Sequence, residues 1–172
     1  QVSSSGRLDI TLIRSVMNLV SSMPILLNDT HKNVTHLQWN EGAVGADILG
    51  WYNSIFVDIV CEKMVTGQTF FPTEKTARPL ATKTPFLIMS SPNYIKNLRR
   101  LGFRSFEQFW DESYDYQQGV QRIVSMQKII DNVAKLDNQE LENMYQKMLP
   151  ILEHNYKTYH ELTVNKITST FL

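Results

Sequence analysis

Residues 54–61 read Ser-Ile-Phe-Val-Asp-Ile-Val-Cys and are rich in β-branched and aromatic side chains. Such residues favour extended structure, so the stretch predicts a β-strand. The run is apolar almost without interruption, which is typical of a parallel strand that is buried on both faces. We therefore expect Cys61 to be a small core residue. Glu62 follows at the carboxyl end of this strand, where open α/β sheets bind their ligands.

A second apolar run, Pro85–Met89, predicts another buried strand. Between the two runs, Thr73 is a suitable N-cap for a helix that begins at Glu74 and ends near Ala81. Pro79 should bend or shorten this helix, because proline removes one helical hydrogen bond. A strand, a helix and a strand in this order predict two parallel strands joined by a right-handed crossover.

The alternation of strands and helices continues after the second strand. Ser91 and Pro92 predict the start of another helix, which stops at Gly102. Residues 103–106 suit a short strand or a turn. We therefore predict an α/β fold for residues 51–116, with a Rossmann-like parallel sheet and helices on both of its faces.

The region before this core, residues 1–50, is predicted to hold a helix and loops. Apolar residues recur at helical spacing over residues 8–22. A short buried strand over residues 25–27 and a polar loop over residues 28–40 follow. The histidines in this loop are not at a spacing that is typical of metal ligands, so no metal site is predicted.

The region after the core, residues 117–172, is predicted to be a C-terminal helical extension. One helix spans several turns up to about Val133, and Asp137 or Asn138 caps another. Apolar residues at helical spacing are expected to face the core. In the first of these helices they are Val120, Ile123, Val124, Ile129, Ile130 and Val133.

Composition restricts the classes of function. The 172 residues carry 17 basic and 17 acidic side chains, so no overall field attracts nucleic acid or anionic lipid. The single cysteine excludes an intrachain disulfide and favours a reducing compartment, so we expect a cytoplasmic protein. No apolar run reaches the ~20 residues of a membrane helix. Because the chain begins with Gln1, we expect it to be a piece of a longer protein or a processed form.

Two interpretations of Thr73-Glu74-Lys75 follow from the residues alone. A helix start offers unpaired N–H groups and the positive end of its dipole, and the Lys75 ammonium adds a full charge, so the stretch suits an anion such as phosphate. Glu74 offers two acceptor oxygens for sugar hydroxyls. The alternative is a capped surface helix with a stabilising Glu in its first turn. Arg78 likewise suits either a phosphate clamp or an ion pair with Glu74.

The same stretch resembles a known family. Residues 71–76 with Arg78-Pro79-Leu80 and residues 84–88 are similar to the donor-binding half of GT-B glycosyltransferases, in particular the Thr-Glu-Lys segment of α-1,3-fucosyltransferases. In that family an acidic residue precedes the segment at the end of a strand; here Glu62 lies at a similar but not identical spacing. Residues 101–115 resemble a segment of uncharacterised bacterial and phage proteins that are related to these glycosyltransferases. The resemblance covers under half of the chain.

The resemblance implies roles for several residues. Lys75 would contact the diphosphate of a nucleotide sugar, Glu74 the ribose or a nearby hydroxyl, and Glu62 the transferred sugar. Thr73 would cap the helix at the site, and Arg78 would add to the phosphate clamp. No metal and no cofactor are implied beyond the nucleotide sugar itself, which is the donor substrate.

The resemblance also implies what this chain does not supply. The family usually brings a second domain with the acceptor contacts and the general base, so the acceptor, the catalytic base and the stereochemistry stay unassigned. Asp111 and Glu112 are candidates for acceptor or supporting roles, but a solvated turn is the simpler interpretation. The competing hypothesis is a non-catalytic, glycosyltransferase-like binding or assembly module, whose terminal helices pack on partner chains.

Overall fold

A computed structural model of the chain describes Arg14, which is helical, and Tyr52–Phe171, with side chains described as far as Thr163. Apart from Arg14, the helix, strand and loop predicted within residues 1–50 lie outside the described residues. Two compact units divide the chain, Gln1–Gly45 and Ala46–Leu172. The elements given below belong to the second unit.

Two strands and four helices form the described part of this unit. Short 3₁₀ turns cover Tyr52–Ser54 and Glu112–Asp115. The strands and helices, in chain order, are β1 (Asp58–Cys61), α1 (Glu74–Thr82), β2 (Phe86–Met89), α2 (Tyr94–Arg100), α3 (Gly119–Val133) and α4 (Asn138–Phe171).

The two strands pair in parallel, as predicted. The register runs from Asp58 opposite Phe86 to Cys61 opposite Met89, and α1 lies in the crossover between the strands. The α/β class is therefore confirmed. Among the described residues the sheet has two strands, and residues 103–106 form a loop rather than a third strand.

Burial differs between the two strands. Phe86, Leu87 and Ile88 of β2 are all at least 96% buried, so β2 is the interior strand. In β1 only Val60 is buried, whereas Ile59 is 45% exposed. The prediction that the first strand is buried on both faces was therefore wrong, and Cys61 is exposed rather than a core residue. An unbroken apolar run does not distinguish a strand with two covered faces from one with a single covered face.

Helix α1 passes through Pro79 and ends at Thr82. Lys83 follows in the left-handed conformation with φ 54°, and the N–H of Thr84 donates to the Pro79 carbonyl at 3.0 Å. The helix ends with a backbone hydrogen bond to a carbonyl one turn earlier, which is a common way to satisfy the last turn.

The C-terminal helices pack on the strands and share one core with them. Met126 and Ile129 of α3 and Met148 and Leu152 of α4 belong to the same buried cluster as β2. Asn155 joins α4 to the loop after α2, since its amide accepts from the Arg104 N–H at 2.7 Å and donates to the Arg104 carbonyl at 2.9 Å. This reciprocal pair fixes α4 against the core.

The start of α4 is capped as predicted. The Asp137 carboxylate accepts from the N–H of Glu140 at 2.8 Å, and the Glu140 carboxylate accepts from the N–H of Asp137 at 2.9 Å. This reciprocal arrangement is a capping box, which satisfies two otherwise unpaired N–H groups. Asp137, rather than Asn138, is therefore the cap.

Candidate functional site

The candidate site lies where β1 ends and α1 begins. The N–H of Glu62 donates to the carbonyl of Met89 at 2.9 Å, so Glu62 stands at the carboxyl edge of the parallel pair. Its side chain is 4% exposed and turns toward the N-terminus of α1. This edge is the position at which α/β proteins bind ligands.

Four donors surround the Glu62 carboxylate. Oε1 accepts from the Thr73 N–H at 3.0 Å and from the Thr76 hydroxyl at 2.5 Å, and Oε2 accepts from the Thr73 hydroxyl at 2.7 Å. The Tyr94 hydroxyl is 3.3 Å from Oε1 and also 2.9 Å from the Thr76 oxygen. The buried carboxylate is therefore satisfied by neutral donors alone.

These contacts keep Glu62 ionised. Burial by itself raises the pKa of the carboxyl group, but the hydrogen bonds from Thr76 and Thr73 outweigh burial, and the pKa is lowered from its ordinary value of 4.5. Hydrogen bonds to a charged carboxylate favour that form. A negative charge at the positive end of α1 is favourable as well.

The partners of Glu62 differ from those that the resemblance implies. It would face the transferred sugar, yet both of its oxygens are engaged by Thr73 and Thr76, and its side chain is almost completely buried. Glu62 thus holds the first turn of α1 against the end of β1.

Thr73 is the N-cap of α1, as predicted. Its backbone is extended, and its hydroxyl accepts from the Lys75 N–H at 3.3 Å while it donates to Glu62. Glu74 is exposed and Lys75 is half-buried. Within the described residues, neither side chain makes a hydrogen bond or an ion pair. Both are therefore available to a ligand at the first turn.

Arg78 lies on α1, four residues after Glu74, and is half-buried. Tyr52 donates to Asp58, the first residue of β1, at 2.7 Å, and burial and this bond raise the pKa of the Tyr52 hydroxyl, while the charge of Arg78 opposes the rise. The Glu74–Arg78 ion pair does not form, and Arg78 Nε is buried without a hydrogen-bond partner in the described part of the chain.

A second buried carboxylate, which the sequence analysis missed, caps α2. Asp115 accepts from the N–H groups of Ile95 at 2.9 Å and Lys96 at 3.1 Å, and its carbonyl accepts from the N–H of Asn93 at 2.7 Å. Asp115 lies 15 residues after the end of α2, so no pattern of neighbouring residues in the sequence indicates that it caps this helix. The contact exists because the 3₁₀ turn folds back onto the start of α2.

Arg122 is the buried cation beside Asp115. The guanidinium donates to the carbonyls of Tyr114 at 2.9 Å and Asp115 at 2.7 Å, and also to the carbonyl of Ser90. Burial lowers the pKa of Arg122, and the charge of Asp115 acts in the opposite direction. Ser90 directly follows β2, so Arg122 connects α3 to the same carboxyl edge of the sheet that Glu62 occupies.

The inward face of α3 was predicted wrongly in part. Ile123 and Val124 were expected to face the core but are 53% and 56% exposed, whereas Arg122 between the apolar positions is buried. Ile129 is buried as predicted. The helix is rotated so that the guanidinium donates to three carbonyls, of which those of Tyr114 and Asp115 also accept from the backbone N–H groups of Gln117 and Asn93.

Glu112 is not part of a solvated turn, which corrects the simpler interpretation of its neighbourhood. Its side chain is 8% exposed, and it accepts from the Phe106 N–H at 2.8 Å and from Arg99 at 2.7 Å. Asp111 is exposed and caps the 3₁₀ turn through the N–H and hydroxyl of Ser113. Both carboxylates support the chain locally rather than line the Glu62 edge.

Comparisons with known proteins add no relative: no family model, no curated protein and no solved structure matches this chain. None of the helices within the described range combines the length and the hydrophobicity that a membrane crossing requires.

Proposed function

We propose that the chain is the donor-binding domain of a glycosyltransferase and binds a nucleotide diphosphate sugar at the first turn of α1. One observation carries the proposal. The Glu62 carboxylate anchors Thr73 at the carboxyl edge of the parallel strands, which leaves Glu74 and Lys75 on the outer side of that turn. The Thr-Glu-Lys resemblance assigns donor contacts to the same two residues.

Lys75 is the residue to which we assign the diphosphate. The Lys75 residue is half-buried, and its ammonium makes no ion pair with a described residue. A positive charge in a partly desolvated position attracts phosphate more strongly than one in open water. The helix dipole adds to this attraction, although the Glu62 carboxylate offsets part of it. Lys75 therefore supplies most of the affinity for the diphosphate.

Glu74 is the residue to which we assign the ribose. It is exposed, and both of its oxygens are free to accept hydrogen bonds from vicinal hydroxyl groups. When the glycosyl group leaves, negative charge develops on the nucleoside diphosphate. Lys75 and the helix terminus would stabilise this charge more in the transition state than in the ground state. Activation of the acceptor is assigned to no residue of this chain.

Calorimetric titration of the chain with a panel of nucleotide sugars and nucleoside diphosphates tests the proposal. We expect one nucleotide to bind, and Lys75→Ala to weaken that binding by about tenfold or more, as for loss of a charge-assisted hydrogen bond. Lys157→Ala is the matched control, because Lys157 is an exposed lysine on α4. Its affinity should equal that of the wild type.

Glu74→Gln tests the assignment of the ribose to Glu74 in the same titration. If Glu74 accepts from the ribose, this variant weakens binding of the nucleotide but leaves binding of inorganic diphosphate unchanged. Absence of binding across the panel, or full affinity in Lys75→Ala, would contradict the proposal. Binding without hydrolysis or transfer of the sugar would favour the non-catalytic module instead.

A further inference from the structure

A separate cavity lies between the loop that follows α2 and the middle of α4. Its volume is about 480 Å³, within the ~300–1,000 Å³ that is usual for small-molecule sites. None of Glu62, Glu74 and Lys75 lines this cavity. The cavity is therefore distinct from the proposed donor site, and its ligand does not depend on the proposed function.

Two cations meet at this cavity, Arg104 from the loop and Lys147 from α4. Both residues are exposed and both line the cavity. Neither side chain makes an ion pair or a hydrogen bond with a described residue, since the two hydrogen bonds of Arg104 belong to its backbone. Two positive charges are therefore available to a ligand at one place.

The backbone positions of both cations are fixed by Asn155. This buried amide holds the N–H and the carbonyl of Arg104 at 2.7 Å and 2.9 Å. Lys147, Ile151 and Asn155 are spaced by four residues, so they lie on one face of α4. The face that Asn155 fixes against the loop therefore carries Lys147 as well. A ligand does not have to order the backbone of either cation when it binds, which favours affinity.

A third cation at the cavity, Arg99, is already paired. Its Nη2 donates to Glu107 at 2.7 Å and to Glu112 at 2.7 Å. Glu107 also lines the cavity, and within the described residues it forms its ion pair with Arg99 rather than with Arg104 or Lys147. Five charged side chains thus meet here, and the two that lack an ion-pair partner among the described residues are both basic.

The remaining part of the wall is largely apolar. Phe103 and Ile151 are buried beneath the cavity, and Pro150 is exposed at it. Such a surface binds a hydrocarbon group because both are then removed from water. The Gln108 amide is exposed beside them and adds a hydrogen-bond donor. The cavity therefore offers cations to an anionic group and apolar surface to an organic group.

We infer that this cavity binds a phosphate monoester of a small organic molecule. The phosphate accepts from Arg104 and Lys147, and the organic group packs on Pro150 and Ile151. A phosphate monoester places up to two negative charges and three acceptor oxygens on one group, so it can accept from both cations at once. The fork of the Arg104 guanidinium also suits two of these oxygens. A sulfate ester or a carboxylate carries a single charge and would balance only one of the two cations.

Calorimetric titration of the full chain with phenyl phosphate at about pH 8 tests the inference, because the second pKa of a phosphate monoester is about 6 and the ligand is then a dianion. Phenyl sulfate has the same ring with one negative charge, and inorganic phosphate has the charge without the ring. We expect saturable binding of phenyl phosphate and at least about tenfold weaker binding of each comparison ligand. Absence of saturable binding of phenyl phosphate overturns the inference, as does equal affinity for either comparison ligand.

Arg104→Met and Lys147→Met test the two cations separately. Both residues are exposed, so the thermal unfolding midpoint should change little, while the affinity for phenyl phosphate falls about tenfold in each variant. Lys157→Met is the matched control, because Lys157 is exposed on α4 and does not line the cavity. Unchanged affinity in either folded cavity variant overturns the inference. Loss of phenyl phosphate binding in Lys75→Ala would place the phosphate at the first turn of α1 and would overturn it too.

Discussion

Glu62 and Asp115 are two buried carboxylates that do the same structural task in different ways. Each satisfies N–H or hydroxyl donors at the start of a helix, Glu62 at α1 and Asp115 at α2. Only Asp115 has a buried cation beside it, since the Arg122 guanidinium donates to its carbonyl at 2.7 Å. Glu62 depends on neutral donors.

The difference predicts how substitutions at each carboxylate site change the free energy of unfolding. A carboxylate held by neutral donors can be replaced by an amide of the same shape at the cost of weaker hydrogen bonds. A buried guanidinium that donates to three carbonyls cannot be removed so cheaply, because several charge-assisted hydrogen bonds are lost at once.

Arg122→Met should be the most damaging change. It removes the charged donor to the carbonyls of Ser90, Tyr114 and Asp115, so we expect a loss of about 3–5 kcal/mol in the free energy of unfolding. Urea unfolding measures this loss. Arg104→Met, at an exposed arginine, is the control and should change stability by less than about 0.5 kcal/mol.

Glu62→Gln should cost less than Arg122→Met. The amide retains one oxygen to accept from Thr73 or Thr76 but loses the charge and presents an NH₂ group to donors, so we expect a loss of about 1–3 kcal/mol. Glu74→Gln, two positions from Thr76 and exposed, should be nearly neutral in the same urea titration. If Glu62→Gln lowers the free energy of unfolding more than Arg122→Met does, the prediction that Arg122→Met is the more damaging change is wrong.

Thr73→Ala removes the cap of α1 and one of the donors to Glu62, and should cost about 1 kcal/mol. Thr73→Ser keeps the hydroxyl and should recover most of that loss. Thermal unfolding of both variants checks the prediction. Equal midpoints for the two variants would mean that the hydroxyl contributes nothing to the cap.

The pH dependence of the free energy of unfolding should report the ionisation of Glu62. Because its folded pKa is lowered, the ionised form stabilises the fold above its ordinary pKa of 4.5, and this contribution is lost as the pH falls from 4.5 through the lower folded value. The stability gap between wild type and Glu62→Gln should therefore be constant near pH 7 and narrow below pH 4.5. If the stability difference between wild type and Glu62→Gln instead widens as the pH falls, the folded-state pKa of Glu62 is raised rather than lowered.

Several features could be predicted from the sequence because their causes are local. Thr73 as a cap, the start of α1 at Glu74, the strand within Pro85–Met89 and the Asp137 cap each depend on residues within one or two turns. The parallel pairing followed from the order of the elements. For the candidate site, the exposed Glu74 and the half-buried Lys75 lie on the predicted first turn.

Other features could not be predicted because they depend on residues distant in sequence. The sequence predicts Glu62 at the end of a strand. Two of its contacts arise only when α1 and α2 meet at the sheet: the hydrogen bond from Thr76 and the contact with Tyr94, 32 residues away. Arg78 was assigned to the same cluster; within the described residues its Nε is buried without a hydrogen-bond partner, and it forms no ion pair with Glu74.

The starts of α1 and α4, the apolar runs that become strands and the parallel order of those strands follow from the sequence, because capping, β-propensity and chain order act over short distances. The tertiary structure alone decided which carboxylates are buried and what satisfies them. Arg122 faces inward while its apolar neighbours Ile123 and Val124 face outward. Hydrogen bonds from Arg122 to three carbonyls outweigh the burial of two aliphatic side chains, and those acceptors come together only in the folded chain.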